Sequence, residues 1–202
     1  MQVILLRHGM TPGNALRRYI GSTDEPLSAA GMEAAREKGA APEVHSVFVT
    51  PLLRTQQTAH LLFPNAAQTI VSDLREMDFG VFENRSAAEM EHDAAYRAWV
   101  GGGCIDRCPD GESVSGFTSR VCAAFAQTVQ ALPKDAQKAF FVVHGGTIMA
   151  LLSGFARPAV SYYDVLVKNC CGYVCTLGPG DDDLPLTLCG IRYVQSISEA
   201  MA

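Results

Sequence analysis

The sequence predicts an α/β fold, a three-layer α/β/α sandwich around a mostly parallel sheet. Three observations predict it. One order of elements recurs three times along the chain: a short apolar run, a polar turn, then a helical pattern. Strands alternating with helices pack as a parallel sheet with helices on both faces. The apolar runs are unbroken, as in strands buried on both sides. Finally, 202 residues suffice for one domain with a sizeable core and are slightly short for two.

The elements follow in chain order. Val3-Ile4-Leu5-Leu6 reads as the first strand. Arg7-His8-Gly9 comes next, and Met10-Thr11-Pro12-Gly13-Asn14 turns into a helix extending to about residue 20. Thr11-Pro12 puts a capping residue before a proline suited to the first helical position. A second helix begins at Ser28, after Pro26-Leu27, and runs to about Gly39. Ser46-Val47-Phe48-Val49 is the strand of the second unit, and Thr50-Pro51 repeats the cap-and-proline signal before a helix over 52–62. Residues 79–112 lack a strong period, are richer in Gly, Asp and Arg, and read as an excursion over one end of the sheet. Residues 113–131 form a longer amphipathic helix that stops before Pro133. Phe140-Phe141-Val142-Val143 is the third unit's strand, His144-Gly145-Gly146-Thr147 its turn and 148–154 its helix. Residues 172–177 and 186–191 read as two strands joined by the turn Gly178-Pro179-Gly180-Asp181.

Composition narrows the classes of function. The formal charge of −5 argues against a dedicated nucleic-acid binder, because no basic stripe is present to neutralise phosphates. A compact anionic substrate needs only a local arginine cluster. No run approaches the ~20 apolar residues of a membrane span, and no leader pattern opens the chain. Seven cysteines without an export signal read as reduced thiols, so the expected setting is cytoplasmic. The spacings of Cys104 and Cys108, and of Cys170, Cys171 and Cys175, fit no common zinc pattern. They read as small buried hydrophobes, and neither metal nor cofactor is expected. The protein is expected to be a monomer or homodimer with no membrane contact.

The chemistry gathers at the strand ends. Arg7, His8, Arg54 and His144 fall at or just beyond the carboxyl ends of the three repeated strands, which parallel strands deliver to one crevice. Two guanidiniums and two imidazoles, assisted by helix N-termini, suit a doubly charged tetrahedral anion. A neutral imidazole among them can attack phosphorus, and a carboxylic acid can protonate the leaving alkoxide. Leu74-Arg75-Glu76-Met77-Asp78-Phe79-Gly80 offers Glu76 and Asp78 for that task. Tyr96 and Trp99, spaced i, i+3, read either as packing on one helix face or as an aromatic wall for a base or sugar.

Arg7-His8-Gly9-Met10-Thr11-Pro12-Gly13-Asn14, with Arg18 and Gly21, resembles the signature of the histidine phosphatase (phosphoglycerate mutase-like) superfamily. The resemblance continues through 24–31, 50–59 and 76–80, Gly111-Glu112-Ser113, and His144-Gly145-Gly146, in the family's order. It implies a phosphoglycerate mutase-like fold and roles residue by residue. His8 matches the phosphohistidine nucleophile, and Arg7, Arg54 and His144 match the groups that hold the phosphoryl oxygens. Glu76 matches the general acid. Asn14 and Arg18 match an outer ring of the phosphate pocket, and the Gly145 N–H matches a phosphate contact. The short middle segment and Gly13, where mutases carry an aromatic residue, favour hydrolysis over phosphoryl transfer between hydroxyls. The segments 78–86 and 96–99, with Pro109-Asp110-Gly111-Glu112-Ser113, are similar to the α-ribazole-5′-phosphate phosphatase branch, which serves cobalamin assembly. Asn84 stands where that branch has glycine, and asparagine tolerates positive φ. Phe82 stands where the branch often has tryptophan. A mutase, a sugar-phosphate phosphatase and a non-catalytic phosphate-ligand module are the competing expectations.

Overall fold

The computed structural model describes residues 1–180 and 184–202. Its strands are β1 (Gln2–Arg7), β2 (Ser46–Val49), β3 (Ala67–Ile70), β4 (Lys138–Val143), β5 (Gly172–Pro179) and β6 (Leu186–Val194). They form one sheet in the order β3-β2-β4-β1-β5-β6. β3, β2, β4 and β1 are parallel, β5 runs antiparallel to β1, and β6 pairs antiparallel with β5. The sheet is therefore mostly parallel, as the sequence predicts.

Alternation along the central strands divides the core. Val3 and Leu5 join Ala139, Phe141 and Val143 on one face, while Ile4 and Leu6 join Phe140 and Val142 on the other. The first face is covered by α5 (Val114–Gln130) and α6 (Gly145–Phe155), through Phe117, Phe125, Ile148 and Leu151. The second is covered by α3 (Leu53–Leu62) and α7 (Ile197–Met201), with α2 (Ala29–Glu37) packed against α3. This is the expected three-layer sandwich.

Several boundaries differ from the sequence reading. Thr11 does cap the first helix, with Asn14 completing a capping box, but α1 (Pro12–Ala15) stops after four residues. Arg17 at φ 55° reverses the chain, and Arg18 then bridges to Ser86. The extension to residue 20 is thus wrong. Leu52, not Thr50, is the N-cap of α3, and Pro51 lies outside the helix. The Thr50 hydroxyl is engaged elsewhere. α6 begins at Gly145, earlier than expected, with His144 as its N-cap. β3 went unrecognised because Ala-Gln-Thr-Ile has no apolar alternation and all four residues are exposed on the sheet edge. The turn expected over 178–181 is partly described: β5 reaches Pro179, and Asp181 lies outside the described residues.

The excursion is more ordered than its sequence suggests. It holds two 3₁₀ turns and α4 (Ala94–Gly101), capped by Asp93. Phe82, Tyr96, Trp99 and Cys108 are buried in the same cluster as α5 and α6. Asn84 sits at φ 56°, the turn that its glycine-like position requires. Among the described residues no helix is long and apolar enough to cross a membrane.

Candidate active site

β1 and β4 are neighbours in register, with Arg7 opposite Val143. The next residue on each strand is a histidine, so topology alone brings His8 and His144 together. Their ring centroids lie 5.2 Å apart at an interplanar angle of 65°. The backbone N–H of His8 donates to Val143 O at 2.9 Å and extends the ladder to the histidine itself.

His8 is held in one tautomer. Its Nδ1 lies 2.7 Å from Gly9 O. A carbonyl oxygen can only accept, so Nδ1 carries the proton and Nε2 keeps its lone pair. Burial, then the charges of Arg54 and Arg7, pushes the imidazole well below its ordinary pKa, against a smaller opposing pull from Gly9 O. The surrounding backbone is pinned: Gly9 N donates to Thr58 Oγ1 at 2.8 Å, and Asn169 Nδ2 donates to His8 O at 3.0 Å.

His144 is fully buried, and both of its ring nitrogens are engaged. Arg54 Nε donates to its Nδ1 at 3.3 Å, so Nε2 carries the proton and donates to Thr50 Oγ1 at 2.9 Å. Thr50 in turn meets Thr55 Oγ1 at 3.0 Å, and Thr55 Oγ1 donates to Leu52 O at 2.9 Å. Burial and then Arg54 depress the His144 pKa as well. Arg54 is itself fully buried. Its Nη1 donates to Thr23 O and its Nη2 to Gly21 O, each at 2.8 Å, so it also fastens the loop over 20–23. Glu83 holds the other side of that loop by accepting from the N–H groups of Gly21, Ser22 and Thr23.

Arg7 faces the cleft. Its Nη1 donates to Val167 O at 2.8 Å, while its buried Nε has no hydrogen-bond partner among the described residues. Burial lowers its pKa, opposed by Glu76. Gly145, first residue of α6, lies against this guanidinium: a Cβ there would meet Arg7 Nε at 3.4 Å. A buried donor without an acceptor is costly, whereas the guanidinium of Arg7, a lining residue of the cleft, suits an anionic oxygen there.

Glu76 closes the cleft from an irregular segment. Its Oε2 accepts from Gly146 N at 3.0 Å and its Oε1 from Met77 N at 3.0 Å. Burial raises its pKa, against those two N–H groups and the charges of Arg54 and Arg7. The protonated form is thereby favoured, as a proton donor requires. Of the two candidate carboxylates, Glu76, the one the resemblance implies as general acid, lines the cleft. Asp78 instead accepts from Gly80 N at 2.9 Å and secures the turn there.

The outer residues are placed unevenly. Arg7, Asn14, Arg18, Glu76 and Gly145 share the lining of a cavity of about 260 Å³. Asn14 Oδ1 accepts from Asn169 Nδ2 at 3.3 Å. Arg18 is paired with Glu89 at 2.6 Å and bonded to Asn84 Oδ1 at 3.2 Å, so its charge is already engaged at the rim. A second cavity of about 240 Å³ adjoins Glu76 and Gly146 and is walled by Tyr19, Phe79, Trp99, Met149, Tyr162 and Tyr163. Trp99 serves both of its alternatives, being 6% exposed in the core and also part of this wall, whereas Tyr96 packs in the core and meets the wall residue Tyr19 hydroxyl to hydroxyl at 2.9 Å. Cys108 and Cys175 are core residues, and Cys104 borders the apolar cavity. Among the described residues, no three His, Cys, Asp or Glu side chains gather as a metal would need. The sequence reading missed Thr50, Thr55, Thr58, Glu83 and Asn169. Thr50, Thr55 and Thr58 lie inside quoted motif segments, yet nothing in a threonine's identity discloses which partner it takes.

Comparison with known proteins agrees with this geometry. Residues 3–187 match the Histidine phosphatase superfamily (branch 1). A protein named "Probable phosphoglycerate mutase GpmB" from Enterobacter sp. (strain 638) is 35% identical over 178 residues, covering 84% of this chain and 82% of the relative. Its namesake from Citrobacter koseri is 34% identical with the same coverage. The crystal structure of the alpha-ribazole phosphatase from Shigella flexneri superposes with a TM-score of 0.77 at 25% identity, covering 97% of this chain and 96% of that one. With His8 against His144, Arg54 bonded to His144, Arg7 and Glu76 lining the cleft, and the match running nearly end to end, the chain belongs to the histidine phosphatase superfamily.

Proposed function

We propose that this chain is a phosphomonoesterase that works through a phosphohistidine on His8, with α-ribazole 5′-phosphate or a similar phosphorylated metabolite as substrate. The observation that carries the reading is the His8 tautomer: a free Nε2 lone pair next to Arg7, which lines the cleft.

In the first step the His8 Nε2–P bond forms and the ester P–O bond breaks. The departing oxygen takes a proton from Glu76. In the second, water attacks phosphorus, the P–N bond breaks, and the Glu76 carboxylate accepts the water's proton. Arg7, Asn14 and the Gly145 N–H face the developing charge from the cleft lining, while Arg54 and His144, whose nitrogens are bonded to each other, Thr23, Gly21 and Thr50, act from behind His8 through the Arg54 charge, and these groups supply the stabilisation without a metal. The apolar cavity beside Glu76 suits an alcohol bearing an aromatic base, and the likeness to an alpha-ribazole phosphatase agrees. The thiols and the acidic balance fit a cytoplasmic setting.

The second reading is a phosphoryl-transferring mutase, favoured by the names of the curated relatives. Against it, Arg18 at the rim is already paired with Glu89, leaving less charge for a carboxylate-bearing glycerate. The deciding experiment presents a panel of phosphomonoesters, with α-ribazole 5′-phosphate, sugar phosphates and phosphoglycerates included. Phosphate release and product identity are read together. We expect free phosphate, preference for the base-bearing ester, and an acid-labile, base-stable label on the enzyme that disappears in His8→Ala. An isomerised ester as product establishes the mutase. Uniformly slow turnover sinks the α-ribazole assignment, and tight binding without turnover leaves a ligand-binding module.

A further inference from the structure

Glu112 and Arg120 lie outside both cavities, yet they hold the stretch of chain that carries Glu76. Arg120 Nε and Nη2 donate to the two Glu112 oxygens at 2.9 and 2.7 Å, a two-pronged pair. Its Nη1 donates to Asp73 O at 2.8 Å and Arg75 O at 3.3 Å, and Nη2 also reaches Glu76 O at 3.4 Å. From the other side, Glu112 Oε2 accepts from Asp78 N at 3.0 Å and Glu112 N donates to Asp78 O at 2.9 Å. The pair therefore grips main chain before, at and after residue 76.

The segment is also anchored by Thr147 Oγ1 on Leu74 O, by Glu83 on Phe79 N and by buried Leu74 and Met77, yet among the described residues only Arg120 and Glu112 hold the main-chain groups of Arg75, Glu76 and Asp78 through side chains from outside it. Ser72–Leu74 makes a single 3₁₀ turn, and 75–79 belong to neither helix nor strand. Without a ladder, the position of such backbone is set by side chains that meet its N–H and C=O groups. An exposed ion pair contributes little. This one is mostly covered, its side chains 15% and 23% exposed, and it adds three contacts to carbonyls.

We infer that Arg120 and Glu112 are positioning residues that set the Glu76 carboxyl for proton delivery to the leaving oxygen, an inference that rests on Glu76 being the general acid. The test compares two esters. A nitrophenolate departs without a proton, whereas an alkoxide needs one. kcat/KM reports the steps through phosphorylation of His8, so the later hydrolysis does not enter. It is measured on 4-nitrophenyl phosphate and 2-phenylethyl phosphate for the wild type, Glu76→Gln, Arg120→Lys, Glu112→Gln and the Glu76→Gln/Arg120→Lys double variant. Arg120→Lys and Glu112→Gln are expected to lose on the order of 10²-fold on the alkyl ester, as for a misplaced catalytic group, and to keep most activity on the nitrophenyl ester. The double variant should be no weaker than Glu76→Gln alone. Equal loss on both esters, or additive loss in the double variant, overturns the inference. If Glu76→Gln separates the esters while the other two do not, the inference alone fails. A Glu76→Gln enzyme that treats both esters alike overturns the acid assignment and the inference with it. Glu112→Gln keeps shape and an acceptor for Asp78 N, so the comparison stands even if Arg120→Lys does not fold.

Discussion

His8 and His144 are neutral imidazoles that the fold surrounds with guanidinium groups, and this fixes a sign for the pH dependence of stability. Their folded pKa values lie well below the ordinary value of about 6.5. Below that pH the unfolded chain binds protons that the folded chain refuses. Stability is therefore full above pH ~6.5 and falls as the pH drops, by up to about 1.4 kcal/mol per pH unit for each histidine. Glu76 acts oppositely: its raised folded pKa contributes stability at low pH that is lost as pH rises through that value. Two histidines against one carboxyl leave the acid side weaker. Urea midpoints at pH 7.5 and 5.5 should show a clear drop for the wild type and a smaller one for His144→Gln; parallel drops would contradict the assignment. Gly146 allows a separate test of Glu76. A Cβ there would collide with Glu76 Oε1. The carboxyl must move and give up its bonds to the Gly146 and Met77 N–H groups, so Gly146→Ala should cost about 1–3 kcal/mol. The expected result is a modest drop in melting temperature with a fall in kcat/KM on alkyl esters on the order of 10²-fold. At this scale the sequence was informative about charge and poor about partners. Arginine and histidine at strand ends announce an anion, but the choice of Glu76 over Asp78 comes from the motif resemblance and not from the residue types themselves.

The elements show why. α1 and α3 carry the same Thr-Pro signal, and only α1 uses it as a cap. In the β2–α3 connection the Thr50 hydroxyl is drawn away by His144 and Thr55, so tertiary contact overrides a local preference. This connection makes its own prediction. Thr50→Val keeps the shape and leaves the buried Nε2–H of His144 without an acceptor, which should cost about 1–3 kcal/mol. Thr50→Ser should recover most of it in the same denaturation experiment. A Val variant as stable as the wild type would show that the hydroxyl does not hold the ring. Strong period and strong caps made α2, α5 and the central strands readable to within a few residues. β3 escaped because an edge strand has no second apolar face to write into its sequence.

For the whole molecule, the order β2-β4-β1 sets the site, since it delivers His8, His144 and the start of α3 to one edge of the sheet. The motif order told which residues belong together; the strand order, invisible in any one segment, tells why. The excursion was the least readable part, because its aromatic residues are spaced for a core supplied by α5 and α6 rather than by itself. The cleft lined by Arg7, Asn14 and Gly145 has a thermodynamic consequence for the molecule as a whole. An anion that binds the folded chain and not the unfolded one stabilises the fold, so the orthophosphate released in the proposed reaction should act as a folding ligand. Orthophosphate at a hundred times its dissociation constant would add about 2.7 kcal/mol. The melting temperature should climb with phosphate and not with chloride at equal ionic strength, and Arg7→Ala should flatten the climb. Under the proposed reaction the same affinity should make orthophosphate a competitive inhibitor, tying turnover to the phosphate level around the protein.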